Sequence, residues 1–281
     1  SSDLSDTMQK GDDFLLKSGQ LTVKYLPRIK ADDTSFGTGY YERTKLISKY
    51  FKQEYNKLRE ELETPEYFRD RLIKNYIYKG AVLEWYIRIK LRLENNYRLF
   101  LDRVPRTGSV VDLGCGYGNV SLMLGFISKH RQVTGVDYDE DKIALANNSP
   151  TKPANVSFIH SDVLSFGFFP ADTFLLSDVL HYMPEEQQVS LLTKCFASLN
   201  PGGTVLIRDA NADLAGRHRG TKFTEFFSTT FGFNKARHGG MHFISGKTIE
   251  RLAADHHMQL EIIDNTKLTS NIFYHLRKNN E

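Results

Sequence analysis

The 281-residue chain is 40% apolar and 25% charged, with a net charge of +3 at pH 7, which fits a soluble globular protein of one large α/β domain plus a smaller unit. No apolar run is long enough to span a bilayer and no secretory leader is visible, so a cytoplasmic protein is expected. Cys115 and Cys195, the only cysteines, have the spacing of neither a zinc site nor a disulfide framework. Residues 1–106 carry 21 Lys+Arg against 16 Asp+Glu, whereas residues 107–281 carry 16 against 18. The mildly basic front would tolerate an acidic surface such as anionic lipid, although a solvated helical face is the commoner reason for such a balance.

Residues 1–40 are turn-rich and contain one strand-like piece, Leu21-Thr22-Val23-Lys24-Tyr25-Leu26, closed by Pro27. From Tyr41 to Leu62, Leu46, Ile47, Tyr50, Phe51, Leu58 and Leu62 recur at three- and four-residue intervals and predict one helix. Thr64-Pro65 reads as a cap and first-turn proline opening a second helix to about Tyr78, and a third runs from about Ala81 to Phe100. Residues 41–106 are therefore expected to form a helical extension that packs on the rest. From Ser109 onward, short apolar runs alternate with helix-length segments, the pattern of a mostly parallel sheet covered on both faces. Strands are predicted near 109–113, 132–136, 156–159, 173–177, 203–208, 258–264 and 270–276. Only Asn265 to Thr269 separates the last two, which suits an antiparallel hairpin.

After Val110-Val111, Asp112 is followed by Gly114, Cys115, Gly116, Tyr117 and Gly118, and then by the helix-forming run Ser121-Leu122-Met123-Leu124. Glycines let a backbone turn sharply and lie flat against a ligand, while the helix start offers N–H groups and a positive dipole end. Asp137 ends the next strand, where an acid can accept both hydroxyls of a ribose. A dinucleotide fingerprint would place a further glycine three residues after its second; Asn119 or Ser121 stands there instead.

The spacing Asp-x-Gly-x-Gly-x-Gly resembles that of class I S-adenosylmethionine (SAM) dependent methyltransferases, and the resemblance runs over most of residues 109–276. It implies a Rossmann-like α/β fold: a seven-stranded, mostly parallel sheet with a C-terminal antiparallel hairpin, within a domain at 107–281. It also implies a cofactor site of Asp112, Gly114, Cys115, Gly116, Gly118, Asp137, Tyr138, Asp162, Val163 and Asp178. In that family Asp137 corresponds to the ribose acid, Asp162 to the acid that binds the adenine amine, and Asp178 to the segment beside the transferred methyl. Asn200-Pro201-Gly202-Gly203 corresponds to the turn before the fifth strand. Each acid alone would more often be a helix cap or strand end; their joint spacing is what carries the resemblance. The segment 177–182 lacks the Asn/Asp-Pro-Pro-Tyr signature of nucleic-acid amino methyltransferases, and the basic patches interleaved with aromatics are too weak to mark a nucleic-acid site, so no nucleic-acid partner is expected.

At the front, Phe14-Leu15-Leu16-Lys17-Ser18-Gly19 and Leu26-Pro27-Arg28-Ile29, within Asp12 to Tyr55, resemble the last part of a glycerolipid-type acyltransferase. The His-x-x-x-x-Asp motif such acyltransferases need is not in the chain. Residues 1–40 would then be the tail of an acyltransferase fused ahead of the methyltransferase, a bacterial arrangement associated with lipid-like or aryl-polyene products. Through the acyltransferase part, such a fusion would be peripheral to the inner membrane surface.

Methyl transfer from a sulfonium is an in-line displacement, and a base is needed only where the acceptor must lose a proton. His181 is the candidate base, with Asp178 and Tyr182 beside it; the competing reading is a histidine that packs or orients Asp178. Tyr76, Tyr78 and Lys79 precede the third helix where a cap over the cofactor would lie, though such tyrosines are more often core. Between Asp209 and Ser245, Phe223, Phe226, Phe227, Phe231 and Phe233 stand among Arg208, Arg217, His218, Arg219, Lys222 and Lys235. An apolar cover with a basic rim suits a small or acyl-linked acceptor with an aromatic or lipid-like part, methylated on carbon or oxygen. The histidines show no metal-ligand spacing, and no metal is expected. The alternative to an enzyme is a non-catalytic SAM-binding module that regulates the fused acyltransferase.

Overall fold

A computed structural model describes residues 22–77, 79–93, 96–214, 242–264 and 270–279. The chain divides into two units, Ser1–Leu62 and Glu63–Glu281. In the first, residues 22–30 have no regular structure, a 3-10 turn follows at Thr34–Phe36, and α1 spans Tyr40–Leu62. The strand-like piece predicted at 21–26 is thus irregular over 22–26, because no strand among the described residues offers it a ladder. Instead Val23, Leu26 and Ile29 line a groove with Ile47, Phe51 and Leu58 of α1, and Lys24 pairs with Glu54 at 3.2 Å.

The second unit begins with α2 (Pro65–Ile77), α3 (Ala81–Leu93) and α4 (Asn96–Arg103). The predicted third helix, about 81–100, is helical at Ala81–Leu93 and from Asn96 onward; residues 94 and 95 lie outside the described residues. Strands and helices then alternate: β1 Gly108–Leu113, α5 Asn119–Ile127, β2 Arg131–Asp137, α6 Glu140–Asn147, β3 Val156–His160, β4 Ala171–Ser177, α7 Glu185–Ala197, β5 Leu199–Ala210, α8 Gly246–Asp255, β6 Gln259–Ile263 and β7 Asn271–Arg277. The sheet order is β3-β2-β1-β4-β5-β7-β6. β1 to β5 are parallel, whereas β7 runs antiparallel to both β5 and β6, as the short 265–269 connection requires. This is the Rossmann-like methyltransferase sheet expected from the sequence.

Alternation along the central strands divides the core. Val111, Leu113, Phe174, Leu176, Val205 and Ile207 face one side, packed with Leu191, Leu192 and Cys195 of α7 and Ile249 and Leu252 of α8. Val110, Leu175 and Leu206 face the other side, with Leu122, Met123 and Leu124 of α5 and Phe68, Leu72, Ile73 and Tyr76 of α2. The α2 helix belongs to that core: Phe68 stacks on Phe126 with ring centroids 5.6 Å apart, and the Arg71 guanidinium lies 4.6 Å from the Phe126 centroid. Likewise α4 seats Phe100 edge-on against Phe273 of β7, at 5.2 Å.

Arg131, 1% exposed, opens β2. Its guanidinium donates to the carbonyls of Pro105 at 2.7 Å, Val104 at 2.7 Å and Leu124 at 3.1 Å, so one buried cation fixes how α4 leads into β1. Burial pushes its pKa down to about 10.

Candidate functional site

β1 lies between β2 and β4, so the chain leaves it toward one edge of the sheet and later fills the other. The crevice outside the carboxyl ends of β1 and β4 is the topological switch point, where open α/β sheets bind ligands. Asp112, near the end of β1, is buried, and its Oδ2 accepts from Ser121 Oγ of α5 at 2.5 Å. Burial pushes its carboxyl up to about 6; the Ser121 bond opposes the rise, the neighbouring Asp137 charge adds to it, and Lys90 on α3 opposes it.

The three loop glycines differ in what surrounds them. Gly114 has φ +74°, and a Cβ there would lie 2.3 Å from Val179 Cγ2; Gly118 has φ +76°, and a Cβ there would lie 2.4 Å from the Phe158 ring. Gly116 also has positive φ, at +56°, but its Cβ direction meets nothing within 4 Å among the described residues. The loop is thus pinned at both ends and bare in the middle, a cradle that a flat ligand can fill. Gly114→Ala and Gly118→Ala are each expected to cost about 2–4 kcal/mol by urea unfolding, through left-handed strain plus overpacking. Gly116→Ala should cost only the conformational part, about 1–2 kcal/mol, and obstruct the cradle. Equal losses at all three positions would contradict an open cradle at Gly116.

Asp137, buried at the end of β2, reaches back to this loop: its Oδ2 accepts from Gly116 N at 2.8 Å and its Oδ1 from Asp139 N at 2.9 Å. Asp139 in turn caps α6 by accepting from the backbone of Asp141 and Lys142. The backbone of the half-exposed Tyr138 follows, and its carbonyl lies 2.9 Å from His160 Nε2. Past β3, Asp162 Oδ1 accepts from Leu164 N at 3.0 Å, while Val163 is buried in the core. On the other side of the loop, Tyr76 Oη donates to the Tyr117 carbonyl at 2.9 Å and Lys79 Nζ to the Leu145 carbonyl at 3.0 Å. Tyr76 is therefore both core and a clamp on the glycine loop; Tyr78 lies outside the described residues.

The segment after β4 carries the second half of the site. Asp178 adopts φ +57°, a left-handed conformation that aspartate tolerates better than most residues, and its carboxylate pairs with Arg208 Nη1. Arg208 is thus a buried β5 residue whose guanidinium faces Asp178. A 3-10 turn at Leu180–Tyr182 then buries His181, 2% exposed, against Tyr182 at a ring separation of 4.2 Å. His181 Nδ1 lies 2.6 Å from Asp209 Oδ1, so the histidine is oriented by Asp209 and not by Asp178. Asp209, fully buried, also accepts from Val179 N at 3.0 Å and Leu180 N at 2.7 Å through Oδ2, and from Ala210 N at 2.8 Å through Oδ1. Burial alone would raise its carboxyl, but the His181 charge and hydrogen bond and the backbone donors hold it below its ordinary value.

Asp112, Gly114, Cys115, Gly116, Gly118, Asp137 and Tyr138 thus gather at the ends of β1 and β2, Asp162 and Val163 follow β3, and Asp178, His181 and Tyr182 follow β4. Asp209 escaped sequence reasoning, although it stands near the carboxyl end of β5 much as Asp137 ends β2, and that position was the available signal. The phenylalanines 223, 226, 227, 231 and 233, with Arg217, His218, Arg219, Lys222 and Lys235, lie outside the described residues, as do residues 12–21 of the acyltransferase-like front. Among the described residues, no helix is long and apolar enough to cross a membrane.

Comparison with known proteins agrees with this geometry. Residues 110–203 match the methyltransferase-domain family. The carboxy-S-adenosyl-L-methionine synthase of Psychrobacter arcticus is 28% identical over 149 residues, covering 50% of this chain and 56% of that protein. An uncharacterized methyltransferase of Staphylococcus carnosus is 32% identical over 116 residues, covering 41% and 54%. The chain thus spans about half the length of these curated relatives. Among solved structures, an O-methyltransferase family protein from Burkholderia thailandensis superposes with a TM-score of 0.54 at 16% identity, over 77% of this chain and 63% of that one. The match to the methyltransferase-domain family is thus confined to residues 110–203, and the solved structure shares the fold of the sheet.

Proposed function

We propose that the chain is a class I SAM-dependent methyltransferase that transfers a methyl group to a small or acyl-linked acceptor. One observation carries the reading: the bare cradle at Gly116 lies between Asp112 and Asp137, at the switch point of a methyltransferase sheet. SAM bound there supplies a methyl activated by its sulfonium. Asp112 offers a buried carboxylate to the methionine end, and Asp137 offers the lone pairs left beside its two backbone bonds to the ribose hydroxyls. Asp162 serves the adenine amine, and Gly114, Cys115, Gly118, Tyr138 and Val163 shape the walls. Asp178, held by Arg208, borders the reacting methyl.

His181 is the proposed base for an acceptor that must lose a proton. Asp209 beside Nδ1 fixes the ring's orientation and favours the tautomer protonated there, which leaves Nε2 to accept. That arrangement favours an enzyme over a non-catalytic SAM-binding module. An aromatic or lipid-like acceptor, methylated on carbon or oxygen, fits the phenylalanine-rich 223–233 sequence with its basic neighbours; the lipid-related part rests on the acyltransferase-like residues 12–55 alone.

SAM or its demethylated product at about 100 times its Kd should stabilise the chain by about 2.7 kcal/mol, several degrees of Tm, and NAD should not. Incubation of the chain and methyl-labelled SAM with a cell extract, followed by mass spectrometry, reads the reaction itself. Label in an organic-soluble or carrier-bound product with release of S-adenosylhomocysteine supports the proposal. A carboxylated sulfonium cofactor would favour the activity named for the Psychrobacter relative, and label only in tRNA, rRNA or protein would overturn the acceptor class.

A further inference from the structure

Gln188 of α7 is wholly buried, where an aliphatic side chain would cost nothing in desolvation. Its Nε2 lies 3.0 Å from the carbonyl of Leu180, 3.0 Å from that of Met183 and 2.6 Å from that of His242. Three carbonyls around one atom fix the amide orientation, since a carbonyl oxygen there would repel all of them. Two N–H hydrogens serve three acceptors, so at least one bond is shared, and Gln188 Oε1 has no partner among the described residues.

A helix-start side chain that only closed the preceding loop would need the first two carbonyls. The third comes from a segment 54 residues away, and the backbone N–H of that same His242 donates to the His181 carbonyl at 2.9 Å. Together with Asp209, which accepts from Val179 N, Leu180 N and the His181 ring, these bonds surround the 3-10 turn. His181 is gripped at its imidazole by Asp209, at its carbonyl by His242, and on both flanks by Gln188.

We propose that Gln188 is a positioning residue for His181, acting through the backbone of residues 180–183 and 242 to hold the imidazole against Asp209. The inference deepens the reading of His181 as the base, and it can fail separately. The test is NMR of the full chain labelled with ¹⁵N-histidine, with His181→Ala to assign the His181 Nδ1 proton, which Asp209 shifts downfield. Gln188→Met, similar in size but without the donor, should broaden that resonance or return it toward an ordinary imidazole position, while SAM affinity by calorimetry stays within about threefold, or 0.65 kcal/mol. Gln188→Asn, which withdraws the amide by one methylene, is the variant to use if the first does not fold, and it should move the signal in the same direction. An unchanged His181 signal in either folded variant overturns the proposal, as does loss of SAM affinity in step with the signal. A full methyl-transfer rate in His181→Ala would sink the base and leave the positioning result standing.

Discussion

Asp112→Asn is expected to stabilise the ligand-free chain at neutral pH and to remove most of its affinity for SAM. Burial raises the Asp112 carboxyl from an ordinary 3.8 to about 6, so the folded chain holds this proton more tightly than the unfolded one. The group therefore favours folding fully below about pH 4, and that contribution is lost as the pH rises through about 6. Two pKa units correspond to about 3 kcal/mol, an upper bound for a site that can relax. Asparagine keeps an oxygen to accept from Ser121 Oγ and carries no charge, so urea unfolding should show a gain of about 1–3 kcal/mol at pH 8 and almost none at pH 4. Loss of a charged acceptor costs about 1.5–3 kcal/mol, which predicts SAM binding weaker by about 10- to 100-fold. A gain in stability with affinity intact would leave Asp112 as a strand-end acid with no part in the cofactor site. No gain at pH 8 would mean that the carboxylate is better solvated in the cradle than its burial implies.

The central strands were legible because a parallel strand buried on both faces reads as a short apolar run, and Val110-Val111 and Leu175-Leu176 are such runs. The glycine loop was legible for a related reason: positive φ at 114, 116 and 118 favours glycine whatever surrounds the loop. What each glycine faces was not, because Val179 follows β4 and Phe158 lies within β3, brought to the loop only by the sheet order. The same limit applies to the pairings beyond β4. Asp178 and His181 are three residues apart, which made a direct link plausible, yet alternation along β5 sends Arg208 and Asp209 to opposite faces, one to each. Gln188 carried no signal at all; a glutamine on a polar-looking helix start is indistinguishable from a solvated one until the fold buries it.

The His181–Asp209 pair separates catalysis from architecture. Asp209→Ala leaves the His181 ring and the N–H groups of Val179, Leu180 and Ala210 without their carboxylate, and breaking a buried pair of this kind typically costs about 3–5 kcal/mol. Because the Asp209 carboxyl is held below its ordinary 3.8, its contribution is present above about pH 4 and is lost as the pH falls through the lower folded value. Wild type and Asp209→Ala should therefore differ by urea unfolding at pH 5–8 and converge only in stronger acid. His181→Ala is the milder lesion for the fold, since Asp209 keeps all three backbone donors. It is the more severe one for the reaction if the imidazole takes the acceptor's proton: general-base assistance contributes about 10²- to 10⁴-fold, so label incorporation from methyl-SAM should fall by that factor while SAM still binds. If the reaction needs no base, as for methylation of an acceptor that enters already ionised, His181→Ala will keep its rate and Asp209→Ala will lose only stability. A fall in rate with SAM binding and cooperative unfolding both retained is the result that makes His181 a catalytic residue, because a packing histidine would be missed first in the unfolding curve.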